Sequence, residues 1–216
     1  MRKPFEKTAL AAAVLAAMTV PSSVMAEGAF SANAGFSSEY VFRGVLQADS
    51  SASVGLDYEN SGFYVGTWWG DVDLGLEVDL YAGYGGEVSG VSYDLNYTTY
   101  NYTRDDPSEA GGAFDDTYGE FNLGLGYGPL SVGYADGTYD NFGAEQKYSV
   151  TTVAVDYKGF TVLYGDNGKD FSGSWFEVGY GTEIGDFDTG INVVFSDEDL
   201  DNQEYVVFSL GKTFDL

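Results

Sequence analysis

The chain has 216 residues, no cysteine, no histidine, and 34 acidic against 9 basic side chains, for a formal net charge of −25. This acidic excess excludes nucleic-acid binding, which draws its affinity from basic patches. The missing cysteine and histidine exclude disulfides, thiol chemistry and any catalytic couple that needs an imidazole base.

Residues 1–26 read as a secretory leader. Arg2, Lys3 and Lys7 form its positive end, residues 9–20 are an apolar run too short for a convincing membrane helix, and Val24-Met25-Ala26 fits a small-residue cleavage site. The mature chain then starts at Glu27, and 27–216 form one domain. The leader carries three basic residues and one acidic one, so the net charge of the remainder is −27. Composition of this kind often signals disorder. Here 17% aromatic residues and a regular alternation place the acid on organised surfaces instead.

Side chains alternate faces along a β-strand, so a strand with one apolar face repeats every second residue. Phe30, Ala32, Ala34 and Phe36 open the series. A longer connection over 37–50 carries Glu39 to Gly44. Ala52, Val54, Leu56 and Tyr58 make the next strand, and a tight turn at 59–62 leads into 63–69, aromatic on both faces. Residues 75–97 contain the clearest alternation. Leu76, Val78, Leu80, Ala82 and Tyr84 oppose Glu77, Asp79 and Tyr81, a Gly-rich turn follows at Gly85, Gly86 and Gly90, and Val91, Tyr93, Leu95 and Tyr97 restart the pattern against Asp94 and Asn96. After a polar connection over 101–117 the same pattern returns in 121–127, 130–134, 153–157, 160–164, 176–184, 187–195 and 205–214.

This predicts about twelve strands of the length that crosses a bilayer at a tilt. Connections near residues 60, 87, 128, 158 and 185 are short, whereas those near 44, 72, 109, 141, 169 and 199 are mostly longer, acidic or Gly-rich. Short turns on one side and long loops on the other are the mark of a transmembrane antiparallel up-and-down β-barrel. An even strand number puts both termini on the short-turn side, facing the periplasm. Tyr58, Phe63, Tyr84, Tyr97, Tyr127, Tyr157, Phe160 and Phe187 flank the short turns, as an interfacial aromatic girdle requires.

Three stretches carry a family resemblance: Ser38-Glu39-Tyr40-Val41-Phe42-Arg43-Gly44, Gly62-Phe63-Tyr64-Val65-Gly66-Thr67-Trp68, and Glu77-Val78-Asp79-Leu80-Tyr81-Ala82-Gly83-Tyr84. They resemble the TorF-type porins, a conserved proteobacterial group, most densely over residues 30–100. The Leu210-Gly211-Lys212-Thr213-Phe214 ending also fits, although Asp215-Leu216 follow the terminal aromatic residue. The resemblance implies an outer-membrane location and a channel, without a substrate.

Asp57, Glu77, Asp79, Asp94, Glu120, Asp156, Glu177 and Asp188 all fall opposite the apolar face of their strands. In a closed barrel they would line the lumen, and carboxylates lining a pore favour cations. The expectation is therefore a non-enzymatic, monomeric diffusion channel for small polar or cationic solutes, seated in outer-membrane lipid and lipopolysaccharide. Trp68, Trp69 and lumen tyrosines offer stacking surfaces for sugar rings. Arg43 is the basic residue to watch, because beside the first loop it can fold into the acidic mouth as a structural ion pair, and pairing of acids with Arg43, Lys147 or Lys169 could equally fill the lumen. Glu77 and Asp79 share one wall with no acid/base partner, so they do not make a glycosidase site. Asp71 and Asp73, Asp115 and Asp116, and Asp197-Glu198-Asp199 with Asp201 lack a calcium-loop spacing and read as solvated acidic loops, with no metal or cofactor assigned. The rival readings are a non-conducting structural or interaction barrel that displays acidic loops, and a soluble periplasmic β-protein.

Overall fold

The computed structural model describes residues 28–73, 75–103, 116–139 and 145–216. The leader expected over 1–26 lies outside these residues. The strands are β1 (Ala29–Ser37), β2 (Tyr40–Phe42), β3 (Val45–Ala48), β4 (Ser51–Asn60), β5 (Phe63–Val72), β6 (Gly75–Val88), β7 (Val91–Tyr102), β8 (Asp116–Tyr127), β9 (Leu130–Tyr139), β10 (Gln146–Tyr157), β11 (Phe160–Lys169), β12 (Ser174–Ile184), β13 (Phe187–Ser196) and β14 (Glu204–Asp215).

Twelve of these strands close into one antiparallel barrel. Each pairs with its neighbours in sequence except at one place, where β1 pairs with β4 and with β14. β2 and β3 are left out of the wall and pair only with each other. Closure leaves the barrel wall without a free edge, which is the condition for strands to cross hydrocarbon with their backbone groups satisfied.

The two-residue period decides which side chains face out. Leu76, Leu80, Ala82 and Tyr84 of β6 point outward, as do Phe121, Leu123, Leu125 and Tyr127 of β8. The outer surface is consequently a continuous apolar band in which Phe63 is 66% and Tyr127 68% exposed. Such a band would aggregate in water and is what a barrel presents to lipid. Its aromatic residues pair between neighbouring strands: Phe63 with Tyr84 at 4.5 Å, Tyr97 with Phe121 at 4.7 Å and Phe160 with Tyr180 at 4.7 Å between ring centroids. Lys212 also faces outward. It reaches Asp186 at 3.5 Å and lies over the rings of Phe187 and Phe214, so its charge sits at the turn end of the wall.

The short connections are two-residue hairpin turns. At Ser61-Gly62, Ser89-Gly90 and Lys158-Gly159 both residues have positive φ, which matches the twist of the strands they join. Gly128 and Gly185 have positive φ at the first position of their turns. The Gly-rich turn expected around Gly85 and Gly86 is instead part of β6. The ladder with β7 continues through Glu87–Ser92 to Val88–Val91 and turns only at Ser89-Gly90. A paired backbone outweighs the low strand preference of glycine here.

Candidate functional site: an inserted hairpin and the lumen acids

The connection over 37–50 is not an outer loop. Phe42-Arg43-Gly44-Val45 is a two-residue turn with φ of 51° at Arg43 and 82° at Gly44, so the segment folds as a small hairpin of β2 and β3. Its bulky side chains are buried inside the barrel: Tyr40 and Val41 are 2% and 1% exposed. Val41 packs in a cluster with Ala135, Val150, Leu163, Trp175, Val194 and Val207 from β9–β14. Tyr40 packs with Ala48 and Val72, its ring 5.7 Å from that of Trp68.

Polar contacts hold the hairpin to several walls. Arg43 Nη1 and Nη2 each donate to a separate oxygen of Glu120 on β8, both at 2.9 Å. Tyr40 donates its hydroxyl to Glu77 Oε1 on β6 at 2.9 Å. The Leu46 N–H donates to Asp201 Oδ2 at 2.8 Å, and Ser196 on β13 donates its hydroxyl to the Gly44 carbonyl. The tip therefore bridges the β8 wall and the β12–β13 wall, where Gly44 also lies against Trp175 and Leu200.

All eight acids that the alternation places opposite the apolar face are on the inward face of the described strands. They do not form one ring. Asp156 and Asp188 each lie one residue from a turn, while Glu77, Asp79 and Glu120 lie at the level of the hairpin. Most have specific donors. Glu120 also accepts the hydroxyls of Tyr100 at 2.8 Å and Tyr148 at 2.9 Å, so both its oxygens are saturated. Asp94 accepts Tyr64 and Asn96, Asp57 accepts Tyr81 and Asn33, and Asp156 accepts Thr161. Glu177 accepts Trp175 Nε1 at 2.8 Å and Asn192 at 2.6 Å.

The lumen is thus two-sided. Its β5–β8 side carries Glu77, Asp79, Asp94 and Glu120 with tyrosine hydroxyls, and its β9–β14 side is mainly apolar beside the hairpin, with the buried Glu177 held by Trp175 and Asn192. The apolar side was not legible as such, because Ala135, Val150, Leu163, Val194 and Val207 fall among polar and glycine positions of their inward faces. Of the hydroxyl donors, Tyr81 falls on the polar face of the alternation, whereas the pattern does not single out Tyr64, Tyr100 and Tyr148. The hairpin did leave a signal, since a Gly-containing dipeptide, Arg43-Gly44, stands between the apolar pairs Val41-Phe42 and Val45-Leu46. Trp68 faces inward, but Trp69 faces outward beside Phe63 and Val65 and donates Nε1 to Thr67, so only Trp68 of the pair belongs to the lumen.

Of the loop acids, Asp197 accepts the Ser174 N–H and hydroxyl at 2.7 and 2.8 Å, and Asp201 accepts Leu46 N–H and Tyr205. These two structure the loop side. Asp115 and the side chain of Asp116 lie outside the described residues. Among the described residues no group of three or more carboxylates is arranged to hold a metal ion.

Known structures share the architecture. A structure solved in work on the in-meso crystallization of membrane proteins matches with a TM-score of 0.59 at 10% identity, covering 87% of this chain and 84% of the other. A KdgM porin in complex with disordered oligogalacturonate matches with a TM-score of 0.50 at 9% identity, over 86% of this chain and 98% of the other. A BenF-like porin from Pseudomonas fluorescens Pf-5 matches at 13% identity and a TM-score of 0.42 over 78% of this chain, which spans 55% of that porin's length. No curated protein sequence matches. The family described as a bacterial protein of unknown function, Gcw_chp, matches residues 22–214, and the chain belongs to that family.

Proposed function

We propose that this protein is an outer-membrane porin of the TorF type, a diffusion channel that prefers small polar or cationic solutes and whose loop-side half is narrowed by the inserted hairpin. The observation that carries this reading is the polar wall. Asp57, Asp94, Asn96, Asn122 and Tyr81 continue on the inward face of the β4–β8 side from the hairpin level toward the turn end, facing an apolar cluster that on the other side reaches Ala154 and Leu163. A barrel stabilised only by a filled interior has no use for such a surface, whereas a solute path does. A twelve-strand wall is wide enough for either use.

The acid content sets the expected preference. Arg43 is already held by Glu120, and no ion pair joins a basic residue to Glu77 or Asp79 among the described residues. KdgM was solved with oligogalacturonate, a polyanion, and the charge of this lumen argues for the opposite class of solute. A non-conducting barrel is the second reading, and the burial of Tyr40 and Val41 favours it. On either reading the protein sits in lipid and lipopolysaccharide.

Reconstitution in a planar bilayer under a KCl gradient tests this. Discrete conductance steps with a cation-selective reversal potential are expected, and Glu77→Gln with Asp79→Asn should reduce that selectivity. A folded, heat-modifiable barrel that never conducts refutes the channel. A protein that extracts without detergent and shows no shift between boiled and unboiled samples refutes the membrane location as well.

A further inference from the structure

The inserted hairpin leaves the wall and re-enters it at one place. β1 ends at Ser37 and β4 begins at Ser51, and these two residues are partners in the β1–β4 ladder. Residues 38–50 therefore hang from two adjacent points, which is the topology of a flap on one hinge. The outgoing arm is pinned at its root. The Ser38 N–H donates to the Phe208 carbonyl at 2.9 Å, and the Phe208 N–H donates to the Ser38 hydroxyl oxygen at 2.8 Å. Beyond the root, the flap shares no ladder with the wall. Among the described residues one backbone–backbone hydrogen bond, from the Asp73 N–H to the Gln47 carbonyl at 3.2 Å, ties β2 and β3 to another segment. Swinging the flap out thus breaks side-chain contacts and leaves every barrel ladder intact, with the torsional change confined to a few residues at strand ends, as in other hinges.

The connection between β13 and β14 meets the far end of the flap. It is a closed turn: the Ser196 N–H donates to the Gln203 carbonyl at 3.0 Å, and the Leu200 and Asn202 N–H groups donate to the Asp197 carbonyl at 3.2 and 3.0 Å. This turn touches the hairpin at three points. Ser196 donates its hydroxyl to the Gly44 carbonyl, Asp201 accepts the Leu46 N–H at 2.8 Å, and Leu200 lies against the tip. The leucine acts as a wedge. A Cβ on Gly44 would lie 2.9 Å from Leu200 Cδ1, and one on Gly173 would lie 2.7 Å from Leu200 Cγ, so this side chain fills the space that both glycines leave. Leu200 is half-buried and packs on the cluster that contains Val41.

We propose that residues 38–50 are a gating flap that swings out of the lumen about Ser37 and Ser51, and that the 196–203 connection is its latch, with Leu200 as the wedge. The flap moves as one body because β2 and β3 keep their mutual ladder in either position. The Arg43–Glu120 pair defines the docked position, and the latch sets how often the flap leaves it. The inference deepens the channel reading, for which the docked flap is the narrow state, but the movement can be read without conduction.

The test uses thiol accessibility. Val41 and Ala48 lie on the two strands of the flap at 1% and 3% exposure. The chain has no cysteine of its own, so Val41→Cys and Ala48→Cys each carry one thiol. In the folded barrel both should react slowly with a cationic methanethiosulfonate reagent. Adding Leu200→Ala should speed both reactions by about tenfold, the order of shift that removing a packed leucine imposes on a docking equilibrium. Acceleration at Val41→Cys alone would mean that the tip frays locally, and unchanged rates at both would mean that the connection holds nothing; either result overturns the proposal. Should Leu200→Ala fail to give a heat-modifiable barrel, Ser196→Ala serves, since it removes only the hydroxyl on Gly44: a smaller rise at both thiols is expected, and equal rates overturn the proposal. Conductance of the same preparations is recorded separately. Two current levels are expected, with Leu200→Ala lengthening the time in the larger one and leaving both levels unchanged. A silent barrel whose thiols respond keeps the flap and removes the channel, and a conducting barrel whose thiols do not respond does the reverse.

Discussion

Arg43 and Glu120, 77 residues apart in sequence, meet across the lumen in a two-pronged ion pair with both contacts at 2.9 Å. Arg43 occupies the tip of the β2–β3 hairpin in a left-handed backbone conformation, and Glu120 is 1% exposed with two tyrosine hydroxyls on its oxygens. The pair fixes the tip against β8. A planar guanidinium matches a carboxylate with two parallel bonds, which a lysine cannot reproduce.

Arg43→Ala should therefore undock the hairpin without dissolving the barrel, because no wall strand loses a ladder bond. Breaking one side of a buried pair costs about 3–5 kcal/mol, and here that cost falls on hairpin docking. The expected outcome is a heat-modifiable barrel with faster proteolysis within residues 38–50 and larger conductance steps. Arg43→Lys should restore docking only in part. Unchanged proteolysis and conductance in Arg43→Ala would show that the pair is not what holds the tip.

Val41→Asp reaches the same state by a separate route. Val41 is 1% exposed within the apolar cluster of β9–β14, and a carboxylate there has no donor waiting for it. Burying it is unfavourable enough to expel the hairpin. The same proteolysis assay reads the result, and Val41→Ile, which keeps the apolar contact, should remain as protected as the parent protein.

Gly159→Val tests the turns. Gly159 has φ of 86°, and a Cβ there would lie 2.7 Å from the Gly181 carbonyl oxygen. The left-handed conformation alone costs a residue with a Cβ about 1–2 kcal/mol, and the backbone contact adds to it. A lower urea midpoint and slower folding into detergent are expected, with single-channel conductance of the folded fraction unchanged. A midpoint equal to that of the parent protein would argue that the turn relaxes freely.

The loop over 197–203 should be pH-sensitive. Hydrogen bonds from the Ser174 hydroxyl, then from backbone N–H groups including that of Ser174, hold the Asp197 carboxyl below its ordinary range. A depressed carboxylate contributes stability above its unfolded pKa and loses it as pH falls through its folded pKa. Hydrogen exchange in this loop should rise on acidification below the ordinary aspartate range and stay flat above it. Asp197→Asn should abolish that dependence, and a dependence that survives the substitution assigns it to another group.

Period-two alternation in segments such as 76–84 and 121–127 was enough to predict about twelve strands, the two faces of the clearly alternating ones, and the sorting of short turns to one end, because each rests on residues close in sequence; the strands over 63–69 and 205–214, apolar or aromatic on both faces, did not reveal theirs. The inward placement of Asp57, Glu77 and Glu120 was legible for the same reason. The tertiary structure alone decided that residues 40–48 enter the lumen, that Arg43 finds Glu120, that the β9–β14 side is apolar beside the hairpin, and that Glu77 Oε2 and Asp79 Oδ1 are buried without a partner among the described residues. Those features depend on the heights at which distant strands present their side chains around a tilted, staggered barrel. Register across the wall is a property of the closed ladder, and no single strand carries it.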